Sequence, residues 1–245
     1  HRLIRRQRQM CIRDRVVDRV LPLGVPVTVG FNRRFDASHQ QLRRQVEAGV
    51  IGKIELVQMV CRASVMPPLA YLRSSGGQMR DQAIHFFDLL RFLTGDEVTT
   101  VAAMGEALAL PELAGIGDVD TSILMLRMRG GALAQLDNTR RTGHGYDERI
   151  SLLGPEGVLE SGSQASRGVT LWQGARCIQP GLYPDWFSRV EESYYAHLDA
   201  FVRSSGGEEE PDLPGLLDGL RAQAIAEAAV LSLQQGQFVS VEPLA

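Results

Sequence analysis

Asp81 and His85 stand four residues apart in the stretch Gly76-Gly77-Gln78-Met79-Arg80-Asp81-Gln82-Ala83-Ile84-His85-Phe86-Phe87-Asp88. On an α-helix, positions i and i+4 share a face, so a carboxylate and an imidazole there can point at one substrate atom. Histidine titrates near neutrality, and a carboxylate partner tunes it for general-base work. Asp88, three residues further on, lies on nearly the same face and can orient the imidazole. The same spacing also occurs on ordinary helices, as a solvated pair or a satisfied core histidine. Two features weigh towards a site. The helix is otherwise apolar (Met79, Ala83, Ile84, Phe86, Phe87, Leu89, Leu90, Phe92, Leu93). It must therefore be buried, and a polar pair on it needs a reason. The glycine pair also lets another group approach the backbone closely.

These side chains need elements to hold them. Val25-Pro26-Val27-Thr28-Val29-Gly30-Phe31 is almost wholly apolar and reads as a strand buried on both faces of a parallel sheet. Asn32-Arg33-Arg34-Phe35-Asp36 follows as a loop at its carboxyl end, where open α/β sheets place ligands. A helix is expected from about residue 38 to 48, then a strand over 54–62 and the site helix ending near Gly95. Strands follow at 98–107, 118–129, 132–139, 146–153 and 157–160, with Gly130-Gly131 as a hairpin turn. Two helices close the chain, one through Trp186, Val190, Tyr194, His197, Leu198 and Phe201, the other from about Leu213 to Gln235. Strands in succession with grouped helices give an α+β class: a large, mostly antiparallel sheet with helices on one face. In Ile123-Leu124-Met125-Leu126 both faces of a strand are apolar, which predicts a second subunit against the outer face, or loops covering it.

Residues 1–15 resemble the translation of a sequencing adapter and are set aside as an artefact; the other reading is a basic arm. Without their six Arg and one Asp, 20 basic residues face 28 acidic ones, moving the net charge from −3 to −8. No basic patch remains for nucleic acid or an anionic membrane. No apolar run is long enough to span a bilayer, and no signal peptide is visible, so the chain reads as soluble and cytoplasmic. Cys61 and Cys177 are too few and isolated for a disulfide framework or a zinc site. Asp81 and His85 could hold a metal only poorly, lacking further ligands at metal spacing. No metal is expected.

Three ordered motifs carry a resemblance: Val29–Asp36, Gly76-Gly77 through Asp88, and Gly145-Tyr146-Asp147-Glu148. Together they resemble the Gfo/Idh/MocA oxidoreductases, most closely the inositol 2-dehydrogenase branch, over about residues 16–242. The resemblance implies an NAD- or NADP-holding N-terminal Rossmann domain and a C-terminal α+β domain. The latter would supply the site for a cyclic polyol or sugar and the interface of a homo-oligomer, a tetramer in the family. It implies that His85 takes the hydroxyl proton as hydride leaves the same carbon, and that Asp81 holds the sugar and supports the histidine. Asn32 and Arg33 match substrate-loop positions, Arg33 being equally readable as a surface ion pair. Tyr146 matches a polyol-contacting tyrosine, or else packs as a strand aromatic. Asn138 and Arg140 are weaker candidates, and His144 and His197 are left as structural or surface residues.

The chain departs from that family pattern. No Gly-x-Gly-x-x-Gly follows a strand: Gly143-His144-Gly145 and Gly154-Pro155-Glu156-Gly157 lack the strand–turn–helix context, so no cofactor-binding residue is assigned. The single lysine, Lys53, is not in a Glu-Lys-Pro element, so the family's catalytic lysine has no counterpart. The expected division is therefore an artefact over 1–15, a remnant of a dinucleotide-binding domain over 16–36, and a substrate-binding and oligomerisation domain over 37–245. On this reading the chain is a fragment, inactive alone, of a polyol dehydrogenase, with myo-inositol as the favoured substrate. The alternative is a non-catalytic sugar-binding or assembly module of the same fold.

Overall fold

A computed structural model describes residues 16–162, 164–166 and 168–242; the adapter-like stretch 1–15 lies outside the described residues. Its centre is a seven-stranded sheet in the order β6-β5-β1-β4-β3-β2-β9. The strands are β1 (Leu56–Arg62), β2 (Val98–Glu106), β3 (Thr121–Met128), β4 (Leu133–Thr139), β5 (Asp147–Gly154), β6 (Gly157–Ser161) and β9 (Val239–Ser240). Only β1 and β4 run parallel; every other neighbouring pair is antiparallel. The sheet is the mostly antiparallel α+β architecture that the strand succession predicts. A separate exposed hairpin, β7 (Leu171–Gln173) and β8 (Arg176–Ile178), and the short β9 are additions.

After a helical segment at residues 16–20, the helices are α1 (Ala37–Glu47), α2 (Leu69–Leu72), α3 (Ile84–Thr94), α4 (Trp186–Ser205) and α5 (Leu216–Gln235). Helix α1 starts where Asp36 accepts hydrogen bonds from the amides of Ser38 and His39, an N-cap at the beginning of the helix. Helices α3 and α5 lie over the inner sheet face. Val57, Met59, Leu124, Leu126, Leu136, Ile150 and Leu152 pack there against Phe86, Phe87, Leu89, Leu90, Leu93, Ile225 and Ala229. Every second strand residue enters this core, as a period of two requires. The opposite face stays bare: Met104, Ile123 and Met125 are 79, 58 and 55% exposed.

Two local expectations fail. Residues 25–31 form no strand; among the described residues no strand pairs with them, and the Val29 amide donates to the carbonyl of Pro214 instead. Val25 and Val27 stay exposed while Phe31 enters the core. The loop after them, Asn32–Phe35, winds into a 3-10 turn. The site helix also begins differently from a simple α-helix: Met79–Ala83 is a π-helical turn, and the α-helix proper runs from Ile84 to Thr94. Wide turns of this kind are rare and concentrate at functional sites.

Candidate functional site

The π-helical turn is bolted to the sheet end beneath it. Gly76 and Gly77 have φ of 89° and 91°, a conformation that disfavours any side chain. A Cβ on Gly77 would meet the Asp118 carboxylate at 2.9 Å. The group that approaches the glycine pair is thus Asp118, which accepts from the amide of Gln78 at 2.8 Å. The Gln78 side chain, fully buried, donates to the Asp120 carbonyl and accepts from the Ser122 hydroxyl. Gln82 donates to the Thr139 carbonyl at 2.9 Å, with its Nε2 3.4 Å from Cys61 Sγ.

Asp81 and His85 project from this turn and from the start of α3, but they do not bond to each other. Asp81 Oδ1 accepts from the Tyr71 hydroxyl of α2 at 2.6 Å, and Oδ2 accepts from Arg140 Nη1 at 2.8 Å. The His85 ring meets Phe31 edge-on, with centroids 5.8 Å apart. Its Nδ1 is buried and has no hydrogen-bond partner. Burial, reinforced by the positive charge of Arg33, pulls the His85 pKa down to about 3. The imidazole is neutral at physiological pH. Asp88 does not orient it. That carboxylate takes two hydrogen bonds from Arg34, 2.8 and 2.6 Å long, which corrects the expectation from its position in sequence.

A second buried group flanks the histidine. Arg33 Nε donates to Glu148 Oε2 at 3.0 Å and its Nη2 to the Tyr146 hydroxyl at 2.8 Å, while that hydroxyl donates to Glu148 Oε2 at 2.9 Å. The guanidinium also lies over the Phe86 ring, 5.2 Å from its centroid. Glu148 Oε1 faces His39 and Arg189 at 3.4 and 3.7 Å. Burial alone would raise the Glu148 pKa, but Arg33, His39 and Arg189 outweigh it and hold the carboxylate below its ordinary range. Burial pushes the Tyr146 phenol well above its usual value. Arg33 is thus a buried ion pair rather than a surface one, and Tyr146 is a hydrogen-bonded residue ahead of β5 rather than an aromatic packed within a strand.

Strand register explains how these pieces meet. Cys61 of β1 lies opposite Glu148 of β5 on one side and Asn138 of β4 on the other, and Asn138 lies opposite Ser122 of β3. A row Glu148–Cys61–Asn138–Ser122 therefore crosses the inner face of the sheet at its end beneath the π-helical turn. Burial pushes the Cys61 thiol up to about 12, so it stays protonated. Around this row, Asn138 Nδ2 and Oδ1, Gln82 Oε1, His85 Nδ1, and Arg140 Nε and Nη2 are buried without hydrogen-bond partners. Unpartnered buried polar atoms are costly and ask for an explanation. Donors and acceptors mixed in this way suit a neutral ligand bearing several hydroxyl groups.

The other expected residues stand further off. Asn32 is fully buried and donates to Ser193 of α4 at 2.7 Å, tying its loop to that helix, while its Oδ1 is buried without a hydrogen-bond partner. His197 stacks on Phe35 and bonds the Thr28 hydroxyl, and His144 lies at the surface beside Asp147. Lys53 donates to the Gly130 carbonyl, away from the site. Sequence reasoning passed over Tyr71, Gln78, Gln82 and Glu148 as functional side chains. Glu148 had a signal as the last residue of the Gly-Tyr-Asp-Glu motif, and Gln78 and Gln82 lie within the stretch from Gly76 to Asp88, whereas Tyr71 had none.

Among the described residues, no group of three His, Cys, Asp or Glu is placed to hold a metal ion, and no helix is long and apolar enough to cross a membrane. Two glycine runs, Gly76-Gly77 and Gly154–Gly157, do not form a cradle for a pyrophosphate. Asp118 already occupies the turn at Gly76-Gly77 with negative charge, and Gly154–Gly157 is the β5–β6 hairpin.

A family model described as the GFO/IDH/MocA C-terminal domain matches residues 39–160. The chain is similar to the myo-inositol 2-dehydrogenase of Thermotoga maritima, 36% identical over 94% of this chain and 68% of that protein. In structure it is similar to a probable dehydrogenase from Thermotoga maritima, with a TM-score of 0.88 and 35% identity over 94% of this chain and 68% of the other. It is also similar to a scyllo-inositol dehydrogenase from Lactobacillus casei, solved with NAD(H) and scyllo-inositol. That match has a TM-score of 0.75 and 27% identity over 86% of this chain and 64% of the other. The chain thus spans about two thirds of the length of these relatives.

Proposed function

The chain belongs to the GFO/IDH/MocA oxidoreductase family, and from that premise we propose that the full-length protein oxidises a hydroxyl of a cyclic polyol, myo-inositol foremost. His85 receives the hydroxyl proton, and Asp81 accepts a hydrogen bond from a ring hydroxyl. The observation that carries this reading is the neutral His85, with a buried unpartnered Nδ1, one turn from an Asp81 anchored by two other residues. The unpartnered atoms of Asn138, Gln82 and Arg140 add donors and acceptors for further hydroxyls. Arg33 and Tyr146 form the flank of the polyol site, and Asn32 supports it by fastening the loop to α4.

The hydride acceptor on this reading is NAD or NADP, held mainly by residues outside those described. No residue of the present site is assigned to it. Residues 37–245 act as the substrate and oligomerisation unit. A homo-oligomer forms through the bare sheet face carrying Met104, Ile123 and Met125, since apolar area of that kind is what subunit contacts cover. The test is an assay of the full-length protein with myo-inositol, scyllo-inositol and aldoses, each with NAD and with NADP, following nicotinamide absorbance. Turnover of an inositol that depends on His85 supports the proposal. Polyol binding with no turnover favours the assembly or sugar-binding reading.

A further inference from the structure

Asp81 is gripped from two sides by residues from distant parts of the chain. Tyr71 comes from the short helix α2, and Arg140 from the residue following β4. The Arg140 side chain is 3% exposed, and Asp81 is its one hydrogen-bond partner among the described residues, since its Nε and Nη2 have none. A guanidinium buried in that way is hard to explain unless the carboxylate it meets must be held. Tyr71 is half-exposed, yet its hydroxyl turns inward to the other oxygen of Asp81. The two donors use one lone-pair position on each oxygen. An ionised carboxylate offers about four, so acceptor positions remain on both.

We propose that Tyr71 and Arg140 are positioning residues for Asp81: together they fix its carboxylate in the orientation that receives a polyol hydroxyl beside His85. The proposal rests on the site reading above and extends it to Tyr71, which acts on substrate only through Asp81, and to Arg140, whose Nη1 positions Asp81 while its Nε and Nη2 stay open to hydroxyls. The backbone at Asp81 is held within its own turn, its amide bonding the Gly77 carbonyl at 3.1 Å, whereas its carboxylate takes its orientation from Tyr71 and Arg140. The Tyr71 phenol carries the mark of the contact, its pKa pushed up to about 12 by the hydrogen bond to Asp81 and then by burial.

Steady-state kinetics of the full-length protein with myo-inositol and NAD test this through Tyr71→Phe, Arg140→Gln, Arg140→Lys, Asp81→Asn and the Tyr71→Phe/Asp81→Asn double variant. Tyr71→Phe removes one hydroxyl from a half-exposed side chain and leaves the fold alone. It should raise KM roughly tenfold, the loss expected of one hydrogen bond to a charged group, with kcat changed by less than about twofold. Arg140→Gln should act in the same direction, and Arg140→Lys should recover part of the loss. In the Asp81→Asn background, Tyr71→Phe should have almost no further effect. A Tyr71→Phe enzyme with unchanged KM, or one whose KM rises just as much without the Asp81 carboxylate, overturns the proposal while leaving the site reading intact. Unchanged kinetics in Asp81→Asn overturn both.

Discussion

Arg34 and Asp88 meet through two near-parallel hydrogen bonds, 2.8 and 2.6 Å long, between a guanidinium and a carboxylate that are both almost wholly buried. This pairing takes the acid nearest in sequence to His85 out of the catalytic picture and makes it a fastener between the 32–35 turn and α3. Removing one member of a buried pair strands the other, at a cost of about 3–5 kcal/mol. Arg34 keeps a contact to Asp218 at 3.1 Å, so Asp88→Asn should lower the unfolding free energy read from urea denaturation by an amount near the lower end of that range. An Asp88→Asn protein of normal stability with collapsed kcat would instead restore Asp88 as the orienting residue.

His85→Ala should lower kcat of the full-length protein by roughly a hundredfold to ten-thousandfold, the usual contribution of a positioned base. NAD affinity, measured by fluorescence titration, should stay unchanged. Near-normal turnover would remove His85 as the base.

The depressed pKa of His85 has a defined sign for stability. In the unfolded chain its pKa returns to the ordinary histidine value of 6.5, against about 3 in the folded protein. Between those values the unfolded chain binds a proton that the folded site refuses, so stability falls as pH drops through this window. From pH 7 to pH 5 this one residue should cost about 2 kcal/mol. His85→Asn should flatten that acid slope in urea unfolding. NMR should show the His85 ring unprotonated from pH 5 to pH 8. Titration near 6.5 would contradict the buried environment.

Tyr146→Phe removes a hydroxyl that accepts from Arg33 and donates to Glu148. The direct Arg33–Glu148 contact survives, so unfolding free energy should drop by only about 1 kcal/mol. The larger effect should be a raised KM for the polyol, because the Arg33 guanidinium loses the partner that aims its Nη2. An unaltered KM would reduce Tyr146 to a packing residue.

Ile123→Glu or Met125→Glu places charge on the bare outer face of β3, whose inner neighbours Leu124 and Leu126 stay in the core. Light scattering should show dissociation to smaller species with an unchanged circular dichroism spectrum. An oligomer indifferent to both substitutions would locate the subunit contact elsewhere.

The sheet was legible in the sequence as a succession of short strand-like runs bounded by turn residues such as Gly130-Gly131, whereas the alternation of β3 shows only in its burial, because its residues are apolar on both faces. Asp81 and His85 were legible as a pair on an apolar helix. The π-helical turn between them was not, because one inserted residue leaves no periodic signature in so short a stretch. Residues 25–31 looked like a buried strand by composition, but composition cannot supply a neighbouring strand. The grip of Tyr71 and Arg140 on Asp81 was out of reach for a related reason. Their separations of 10 and 59 residues from Asp81 are bridged only by the fold.

The single parallel pairing in the sheet has a consequence for the order in which the molecule is made. Leu56 of β1 pairs with Leu133 of β4, 77 positions later. At ordinary rates of synthesis, β1 waits on the order of ten seconds at the ribosome before its partner emerges. The chain that separates them includes α3, Asp81 and His85, while Asn138 and Arg140 arrive with and just after the second strand. The Asp81–His85 pair is therefore written locally, but its setting is completed by the slowest kind of chain closure, and each nascent molecule acquires the proposed site late.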